Sequence, residues 1–375
     1  MVVMCKAVRL SVLKGLLAGV LLCVFAGVAA ANADWLSFRG NPMMTGVAGS
    51  GLSSRPRLLW TYETGSSIES TAAIAGDSVF FGTKTKALVC LSLSTGKLRW
   101  KFLASDAISA SPCYVDGRVF VGDEGGTFYA VAASTGRLLW KFKTGDKIMS
   151  SATPTGSGIL FGSYDNYLYK LDRATGKKQW SFKSEAQVHC APCFADGRAI
   201  IAGCDGVVRM IDAATGRQAA AASIGPNFGT APAYSGGCVF VGSMTGEYVS
   251  VRISDGKVIW ETAVKRNNGA SFASAAVLGD AVVFASRNNT VFRLARTTGR
   301  AQWVFTARDA VDSSPVIAGN RVFFGSDDGN LYAVDLGTGK KVWSFAAGAG
   351  ITASPAVGRG RLVIGTLDGA VYCFG

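Results

Sequence analysis

The sequence predicts an all-β protein, an eight-bladed β-propeller in which every blade is a four-stranded antiparallel sheet. Three observations lead to this prediction. Tryptophan recurs about every 40 residues, a Thr-Gly or Asp-Gly pair precedes most of these tryptophans, and no stretch after residue 33 keeps the hydrophobic period of a helix. A fixed period of this length indicates one structural unit copied many times. The recurring residues are Trp60, Trp100, Trp140, Trp180, Trp260, Trp303 and Trp343.

The first 33 residues have the features of a secretory signal peptide. The basic residues Lys6, Arg9 and Lys14 precede an apolar run over 15–31, which ends in an Ala-Asn-Ala cleavage pattern at 31–33. An uncleaved anchor is the alternative, since about 17 apolar residues is the lower limit for crossing a bilayer. We expect an exported, periplasmic or envelope-associated chain that does not span the membrane after cleavage. The predicted organisation is a signal peptide over 1–33, a lead-in over 34–55 and a propeller over 56–375.

The clearest repeat unit, residues 108–140, contains four short runs of strand type. The first run ends at Asp116-Gly117, a strong hairpin signal, and the alternating, β-branched run RVFVG follows. A polar, glycine-rich turn leads into TFYAVA, and Thr135-Gly136 then turns the chain into RLLWKF. Four antiparallel strands per unit, repeated around a ring, make a β-propeller.

Eight first strands recur along the chain, but only seven units have a fourth strand. The last unit stops at VYCFG after its third strand, and residues 56–65, around Trp60, supply the strand that it lacks. We therefore expect the N-terminal strand to close the eighth blade, which removes the exposed edges of a linear array. Each indole should be buried between neighbouring blades. Ala220 occupies the one slot without tryptophan, so we expect the softest seam between blades four and five.

The composition is basic, with 38 Lys and Arg against 25 Asp and Glu and a formal net charge of +13. Removal of the three basic residues in 1–33 lowers this charge to +10. A positive field suits anionic partners such as lipid headgroups or wall polymers, and solubility is the plain alternative. The basic residues are scattered through turns without interleaved aromatic residues, and the chain is predicted to be exported. We therefore expect no nucleic-acid partner.

Seven cysteines remain after cleavage, an odd number that leaves at least one free thiol or one intermolecular bond in an oxidising compartment. Most occupy repeat positions where other units have small residues, which indicates buried small hydrophobes. The segment HCAPC, from His189 to Cys193, is the sharpest local oddity. Its thiols could pair, react or bind a metal, but a structural zinc site needs two further ligands. Packing is the preferred interpretation, with Cys190 and Cys193 kept as a possible thiol pair.

The unit resembles the pyrroloquinoline-quinone-type propeller repeat. The resemblance lies in LDRATGKKQW (171–180), VDLGTGKKVW (334–343) and SSPVIAGNRVFFGSDDGNLYAVD (313–335), and it covers residues 56–375. The segment DWLSFRGNPMMTGV (34–47) resembles the lead-in of exported members. Within this family the size, the signal peptide and the eight blades are most similar to the BamB-like exported propellers. That resemblance implies a protein partner in the cell envelope and a role in outer-membrane protein assembly, and we expect a monomer.

The quinoprotein dehydrogenases of the same superfamily imply an enzymatic alternative. They use a vicinal disulfide against the quinone, a Ca²⁺ ion held by carboxylate and Asn, and an Asp base. The sequence has no Cys-Cys pair and no acidic cluster with calcium-loop spacing. The resemblance therefore implies the fold without the chemistry, and we expect neither pyrroloquinoline quinone (PQQ) nor Ca²⁺ as a cofactor.

The central mouth, where the first strands converge, is the best candidate site. The position three residues before the usual proline varies from blade to blade, and it includes Glu69, Asp312 and the only histidine, His189. The two acids could hold a cation or orient a polar ligand, and a solvated rim is the alternative. The residues at this position are Glu69, Ser109, Met149, His189, Gly229, Phe272, Asp312 and Thr352.

The connections between blades are the second candidate site, because propeller loops carry function while blades carry stability. The longest connection holds Lys265, Arg266 and Asn267, which we expect to contact a partner. The sequence has no nucleophile elbow, phosphate-binding loop or dinucleotide fingerprint. We therefore expect no catalytic residues and a scaffold that binds a protein partner. The alternatives are a quinone-dependent enzyme or sensor and a module that binds cell-wall polysaccharide.

Overall fold

The computed structural model describes residues 33–225, 227–263 and 269–375. The regular structure of these residues is entirely β, with thirty-two strands in eight four-stranded sheets. Adjacent sheets contact each other through their innermost strands and close a ring. The predicted eight-bladed propeller is therefore confirmed. In the described ranges no helix is long and apolar enough to cross a bilayer, and the predicted signal peptide lies outside them except for Ala33.

The first strand, β1 (Leu58–Glu63), belongs to the last blade, and the other strands build the blades in chain order from the channel outward. Blade one contains β2 (Ala73–Ala75), β3 (Ser78–Gly82), β4 (Ala87–Ser92) and β5 (Leu98–Leu103). Blade two contains β6 (Cys113–Val115), β7 (Arg118–Gly122), β8 (Thr127–Ala132) and β9 (Leu138–Lys143). Blade three contains β10 (Thr153–Thr155), β11 (Gly158–Gly162), β12 (Tyr167–Asp172) and β13 (Lys178–Lys183). Blade four contains β14 (Cys193–Ala195), β15 (Arg198–Ala202), β16 (Val207–Asp212) and β17 (Gln218–Ser223).

The second half of the ring repeats the pattern. Blade five contains β18 (Ala233–Ser235), β19 (Cys238–Gly242), β20 (Glu247–Arg252) and β21 (Val258–Ala263). Blade six contains β22 (Ala276–Leu278), β23 (Ala281–Ser286), β24 (Thr290–Ala295) and β25 (Ala301–Thr306). Blade seven contains β26 (Val316–Ala318), β27 (Arg321–Gly325), β28 (Asn330–Asp335) and β29 (Lys341–Ala346). Blade eight contains β30 (Ala356–Gly358), β31 (Arg361–Gly365), β32 (Ala370–Phe374) and β1.

The local chemistry of the sequence explains each blade. The second and third strands are almost wholly buried, because β-branched and aromatic residues fill them. Asp116 (φ 49°) and Gly117 (φ 73°) make the tight turn between β6 and β7, as the hairpin signal predicts. The outermost strand of every blade carries a bulge beside its tryptophan position. These bulges blunt the exposed edges against pairing with other chains.

The ring closes through the N-terminal strand. Strand β1 pairs antiparallel with β32, from Leu58 opposite Phe374 to Glu63 opposite Ala370. The strand that the last unit lacks is therefore supplied by residues near the start of the propeller, as predicted. Because both ends of the propeller share one sheet, the ring is held shut by backbone hydrogen bonds.

A repeated contact joins most neighbouring blades. Trp140 of blade two donates its Nε1 hydrogen to the carbonyl oxygen of Arg173 in blade three at 3.1 Å. Its ring lies against Gly176, where φ is 72° and an added Cβ would meet the indole at 2.7 Å. Most of the tryptophans are half-buried instead of fully enclosed as expected, because they lie on the outermost strands. Equivalent bonds start at Trp60, Trp100, Trp180, Trp260 and Trp303.

The seam between blades four and five has a different filling. Ala220 lies opposite Met210 in the pairing of β16 with β17, and the Met210 side chain is fully buried. A Cβ added to Gly256, the turn glycine of blade five, would lie 3.4 Å from the Met210 methyl group. Methionine therefore fills part of the space that an indole fills elsewhere. That this seam is the softest stays a prediction.

The lead-in crosses the channel at the far ends of the innermost strands. Backbone hydrogen bonds tie Trp35 to Ile74 of blade one and Gly46 to Ile317 of blade seven. The equivalent position in blade three is Pro154, which has no N–H to donate. The lead-in therefore binds the inner edges of most blades and closes one end of the channel. Its other backbone contacts are with Tyr114, Phe194, Tyr234, Val277 and Arg359.

Arg39 anchors the lead-in from the inside. Its guanidinium group is completely buried, and Nη2 donates to the carbonyl oxygens of Ala275 at 2.9 Å and Pro315 at 2.5 Å. Burial lowers the pKa of Arg39 to about 9. The lead-in thus forms a fixed floor for the channel, and Phe38 lines the cavity above that floor.

Candidate functional site

All eight residues predicted to form the mouth line one central cavity of about 190 Å³. They come together because the same repeat position lies four residues before the innermost strand of each blade, and the innermost strands converge on the axis. Glu69, His189 and Asp312 are therefore brought into one site, as the sequence predicts. Whether this site binds a ligand or a partner stays a prediction.

Hydroxyl groups form the next layer of the cavity. Ser111 accepts a hydrogen bond from the backbone N–H of Thr71 at 2.9 Å, and Ser151 accepts one from Ser111 at 3.0 Å. Each such bond joins one blade to the next, so the layer also holds neighbouring inner strands together. Ala191 and Ala231 interrupt the layer in blades four and five. The hydroxyl-bearing residues are Thr71, Ser111, Ser151, Ser274, Ser314 and Ser354.

Glu69 belongs to a small charged cluster around Lys84. The Lys84 Nζ lies 2.6 Å from Glu124 Oε1, 3.0 Å from Ser109 Oγ and 3.5 Å from Glu69 Oε2. Burial acts to raise the pKa of Glu124, but hydrogen bonds from Lys84 and Ser109 outweigh it and lower that pKa. Burial likewise acts to lower the pKa of Lys84, and the two glutamates raise it. Lys84 and Glu124 are therefore held charged, and the single lysine is shared between two glutamate side chains.

Asp312 is held by Arg287 from the neighbouring blade. Arg287 donates from Nε to Oδ1 at 2.9 Å and from Nη2 to Oδ2 at 2.7 Å, a bidentate pair. The guanidinium carbon lies 4.1 Å from the centroid of the Phe272 ring. The hydrogen bonds to Asp312 raise the pKa of Arg287. Asp327 stands nearby, and burial together with the charge of Asp312 raises its pKa.

His189 is bound to Tyr164. The Tyr164 hydroxyl lies 2.7 Å from Nδ1 of His189, and Lys147 Nζ lies 4.4 Å from the centroid of the tyrosine ring. Burial and the charge of Lys147 lower the pKa of His189. The imidazole is therefore neutral near pH 7 and is occupied by a neighbouring side chain.

One sector of the mouth, on blades three to six, is rich in apolar side chains. Gly229 leaves room for its neighbours, because an added Cβ would lie 3.0 Å from Phe272 and 3.1 Å from the Met244 methyl group. Met149 lines the same cavity. Aromatic and methionine side chains of this kind are enriched in protein interfaces.

A second ring of residues lies beside the mouth, and the sequence did not predict it. Each member lies two positions after the Gly or Ala that recurs near the end of the second strand, such as Gly82 in blade one and Ala285 in blade six, and several contact the first ring. The signal was present, since these residues recur at a fixed distance from that Gly or Ala, but their types share no pattern. The members are Lys84, Glu124, Tyr164, Cys204, Met244, Arg287, Asp327 and Leu367.

The two cysteines of the HCAPC segment face different surroundings. Cys190 lines the mouth cavity, whereas Cys193 Sγ lies 3.5 Å from the carbonyl oxygen of Met43 in the lead-in. Both are free thiols, and burial raises both pKa values. This agrees with packing, and a disulfide between them stays a prediction. The predicted contacts Lys265, Arg266 and Asn267 lie outside the described residues.

The mouth does not fit a calcium–quinone pair. Ca²⁺ takes six to eight oxygen ligands, including carboxylates, but Glu69 and Asp312 are already paired with Lys84 and Arg287. Across the described ranges no group of three His, Cys, Asp or Glu residues is placed to hold a metal ion.

A larger cavity of about 570 Å³ lies at the floor end of the molecule. Leu36 and Pro42 of the lead-in line it together with Tyr114, Pro154 and Phe194. It lies beneath blade three, where Pro154 offers the lead-in no hydrogen bond. This apolar groove is separate from the mouth and was not predicted from the sequence.

Comparison with known proteins finds one family model that matches most of the chain. A family model described as "Outer membrane protein assembly factor BamB" matches residues 52–160, 130–219 and 204–375. The solved structure of BamB from Moraxella catarrhalis matches with a TM-score of 0.74 and 18% identity, over 85% of this chain and 97% of that chain. A search of curated proteins gave no match.

Two further solved structures have the same fold. The computationally designed Ika8 protein has a TM-score of 0.76 and 19% identity, over 85% of this chain and 99% of that chain. A europium-containing methanol dehydrogenase has a TM-score of 0.79 and 14% identity, over 93% of this chain and 99% of that chain. At these identities the likeness shows the fold alone, and one scaffold serves a designed protein and an enzyme alike.

Proposed function

The chain belongs to the family of the outer membrane protein assembly factor BamB, and we propose that it is a non-catalytic scaffold of the cell envelope. In this proposal the chain is exported, and its channel mouth binds a protein partner. The observation that carries the proposal is the character of the mouth. Its acids Glu69 and Asp312 are paired with cations, while Met149, Met244, Phe272 and Tyr164 remain as contact surface.

This composition suits protein recognition. Aromatic residues, methionine and arginine are enriched in protein interfaces, and a few such residues carry most of the binding free energy. Arg287 combines two of these features, since it stacks on Phe272 and stays half exposed, with 51% of its side chain accessible. The lead-in closes the other end of the channel, so a partner would meet the mouth as a shallow, rimmed surface.

The same geometry argues against acid–base catalysis at the mouth. A general base must reach a substrate proton, but His189 is bound to Tyr164, and Glu69 and Asp312 are bound to cations. No cofactor and no catalytic residue are part of the proposal.

A quinone-dependent dehydrogenase or sensor is the second candidate function. It is favoured by one observation, the likeness to a methanol dehydrogenase over nearly the whole chain. Titration of the purified protein with PQQ and Ca²⁺ separates the two functions. Quinone binding accompanied by alcohol-dependent dye reduction would contradict the scaffold proposal.

The direct test is capture of a partner from native envelope membranes, followed by mass spectrometry. The tagged wild-type chain is compared with Phe272→Ser, at the mouth, and with Leu36→Ser, an exposed residue at the floor end. We expect one envelope protein to be enriched by the wild type and by Leu36→Ser, and lost with Phe272→Ser. Equal capture by all three chains would show that the mouth is not the binding surface.

A further inference from the structure

The outer wall of the ring is uneven, and three neighbouring blades stand out. Blades eight, one and two present leucines on their outermost strands β1, β5 and β9. Leu103 is 72% exposed, and the others are between 37% and 46% exposed. We call this surface the leucine wall. Its leucines are Leu58, Leu59, Leu98, Leu103, Leu138 and Leu139.

The leucine wall is also strongly basic. Strands β5 and β9 and the turns before them contain no acidic residue, and β1 contains one, the exposed Glu63. Arg99 is paired with Asp77, but the ion pairs found among the described residues leave out the other wall cations. Those cations are Arg57, Lys97, Lys101, Arg137, Lys141 and Lys143, and all are exposed.

The opposite wall lacks this combination. Blades five to seven expose Val258, Ile259, Val304 and Val342 to a similar degree. Their outer strands and the turns before them have fewer exposed cations, together with the exposed acid Glu261. These cations are Lys257, Arg300, Lys340 and Lys341. In blades three and four the outer strands present no exposed large hydrophobic residue among those described. Among the described residues, the leucine wall therefore combines exposed apolar side chains with the largest number of exposed cations.

Protection of strand edges does not account for this difference. Lysines on edge strands discourage pairing between chains, but bulges blunt all eight outer strands equally. Edge protection would also not place leucines beside the lysines, because exposed apolar residues increase the risk of association. The wall thus has a feature that stability and solubility do not require.

We propose that the leucine wall docks on an anionic lipid bilayer. Leucines can enter the boundary between headgroups and acyl chains, while lysines and arginines contact anionic headgroups. The exposed leucines favour lipid over a polyanionic wall polymer, because a hydrated polymer would contact only the charged side chains. Docking through the wall sets the channel axis along the membrane surface and leaves the mouth free for a protein partner.

The test measures co-sedimentation with vesicles of phosphatidylglycerol and phosphatidylcholine in equal parts, and with phosphatidylcholine vesicles. Every chain is purified in its exported form with the same N-terminus. The charge variant changes Lys97, Lys101, Arg137 and Lys141 to Gln. Its matched control removes the same charge from the opposite wall by changing Lys257, Arg300, Lys340 and Lys341 to Gln. The apolar variant changes Leu98, Leu103 and Leu138 to Ser, and its control changes Val258, Val304 and Val342 to Ser.

We expect the wild type to bind the anionic vesicles and not the neutral ones. Since each basic residue near an anionic surface is worth about fivefold in partitioning, the charge variant should lose roughly a hundredfold or more. The apolar variant should lose about tenfold, and both controls should change little. Thermal unfolding of each variant shows that the fold is retained, which is expected because all these side chains are exposed.

Three results would overturn the proposal. Absence of binding to anionic vesicles would remove it outright. Equal loss in the two charge variants would assign binding to the net charge of the molecule. Salt-sensitive binding to anionic wall polymer that is indifferent to the Leu-to-Ser changes would identify a polymer as the ligand. None of these results bears on partner capture at the mouth, so the two proposals fail independently.

Discussion

The blade seams and the channel mouth are built from the same repeat, but the seams use the same residues in most blades whereas the mouth residues differ in every blade. Six tryptophans make the same hydrogen bond to the next blade, and the turn glycine packs against each of them. At the mouth, eight equivalent positions hold eight different residue types. The difference teaches that residues which keep the repeat provide stability, and that residues which break it are where recognition should be sought.

The largest effect should come from removing a seam tryptophan. Trp140→Ala deletes a ring that contacts Phe120, Phe128 and Gly176, and it deletes the bond to Arg173. We expect the free energy of unfolding to fall by about 3–5 kcal/mol in denaturant titration. Trp343→Ala is the control, because blade eight has no turn glycine that packs against that indole. The free energy of unfolding should fall less for Trp343→Ala than for Trp140→Ala. An equal loss would show that the glycine contact adds nothing.

Substitution of a turn glycine should destabilise the protein less than removal of a tryptophan, and the chain offers a matched pair of glycines. Gly176 and Gly197 share a φ of 72°, but only Gly176 has an indole at 2.7 Å, whereas Gly197 has open space around it. Gly176→Ala should destabilise by about 3 kcal/mol, the sum of backbone strain and overpacking. Gly197→Ala should cost about 1 kcal/mol, from backbone conformation alone. Similar values in thermal unfolding would contradict the packing account of the seam.

The Ala220 seam should open before the others. Amide hydrogen exchange should be fastest, among comparable outer strands, in β17 and β21, because these strands flank the seam that lacks an indole. If Met210 fills the space completely, exchange there will equal that in β9 and β13, and the prediction of a soft seam will be wrong.

A pH effect should come from the mouth. Burial lowers the folded-state pKa of His189 below its ordinary value of 6.5. The unfolded chain therefore binds a proton first as the pH falls, and stability is lost from about pH 6.5 down to the lowered pKa. Above pH 6.5 the contribution of His189 to stability is fully present. His189→Gln should flatten this part of the stability curve in denaturant titrations, and an unchanged slope would show that His189 titrates normally.

The smallest effect on stability should come from Arg287→Gln. The pair with Asp312 is partly exposed, so its loss should cost less than about 1 kcal/mol. A fall of more than about 2 kcal/mol in the free energy of unfolding would show that the Arg287–Asp312 pair stabilises the fold. The contrast between stabilising seams and a non-stabilising mouth would then be wrong for this pair.

The sequence predicts the framework far better than the site. The eight blades, the closure through β1 and the mouth positions of Glu69, His189 and Asp312 follow from the repeat register alone. The partners of those residues do not, because Lys84, Tyr164 and Arg287 come from neighbouring turns and share no residue type. The crossing of the channel by the lead-in was also beyond the sequence, since its contacts are to backbone and carry no side-chain signature.

One measurement tests the division between framework and mouth most directly. Partner capture and melting temperature are measured together for Gly176→Ala and for the mouth variant with Met149, Phe272 and Arg287 changed to Ser. We expect the mouth variant to lose capture while its melting temperature stays near that of the wild type. Gly176→Ala should melt earlier and still capture the partner while it is folded. Undiminished capture by the mouth variant would contradict the account.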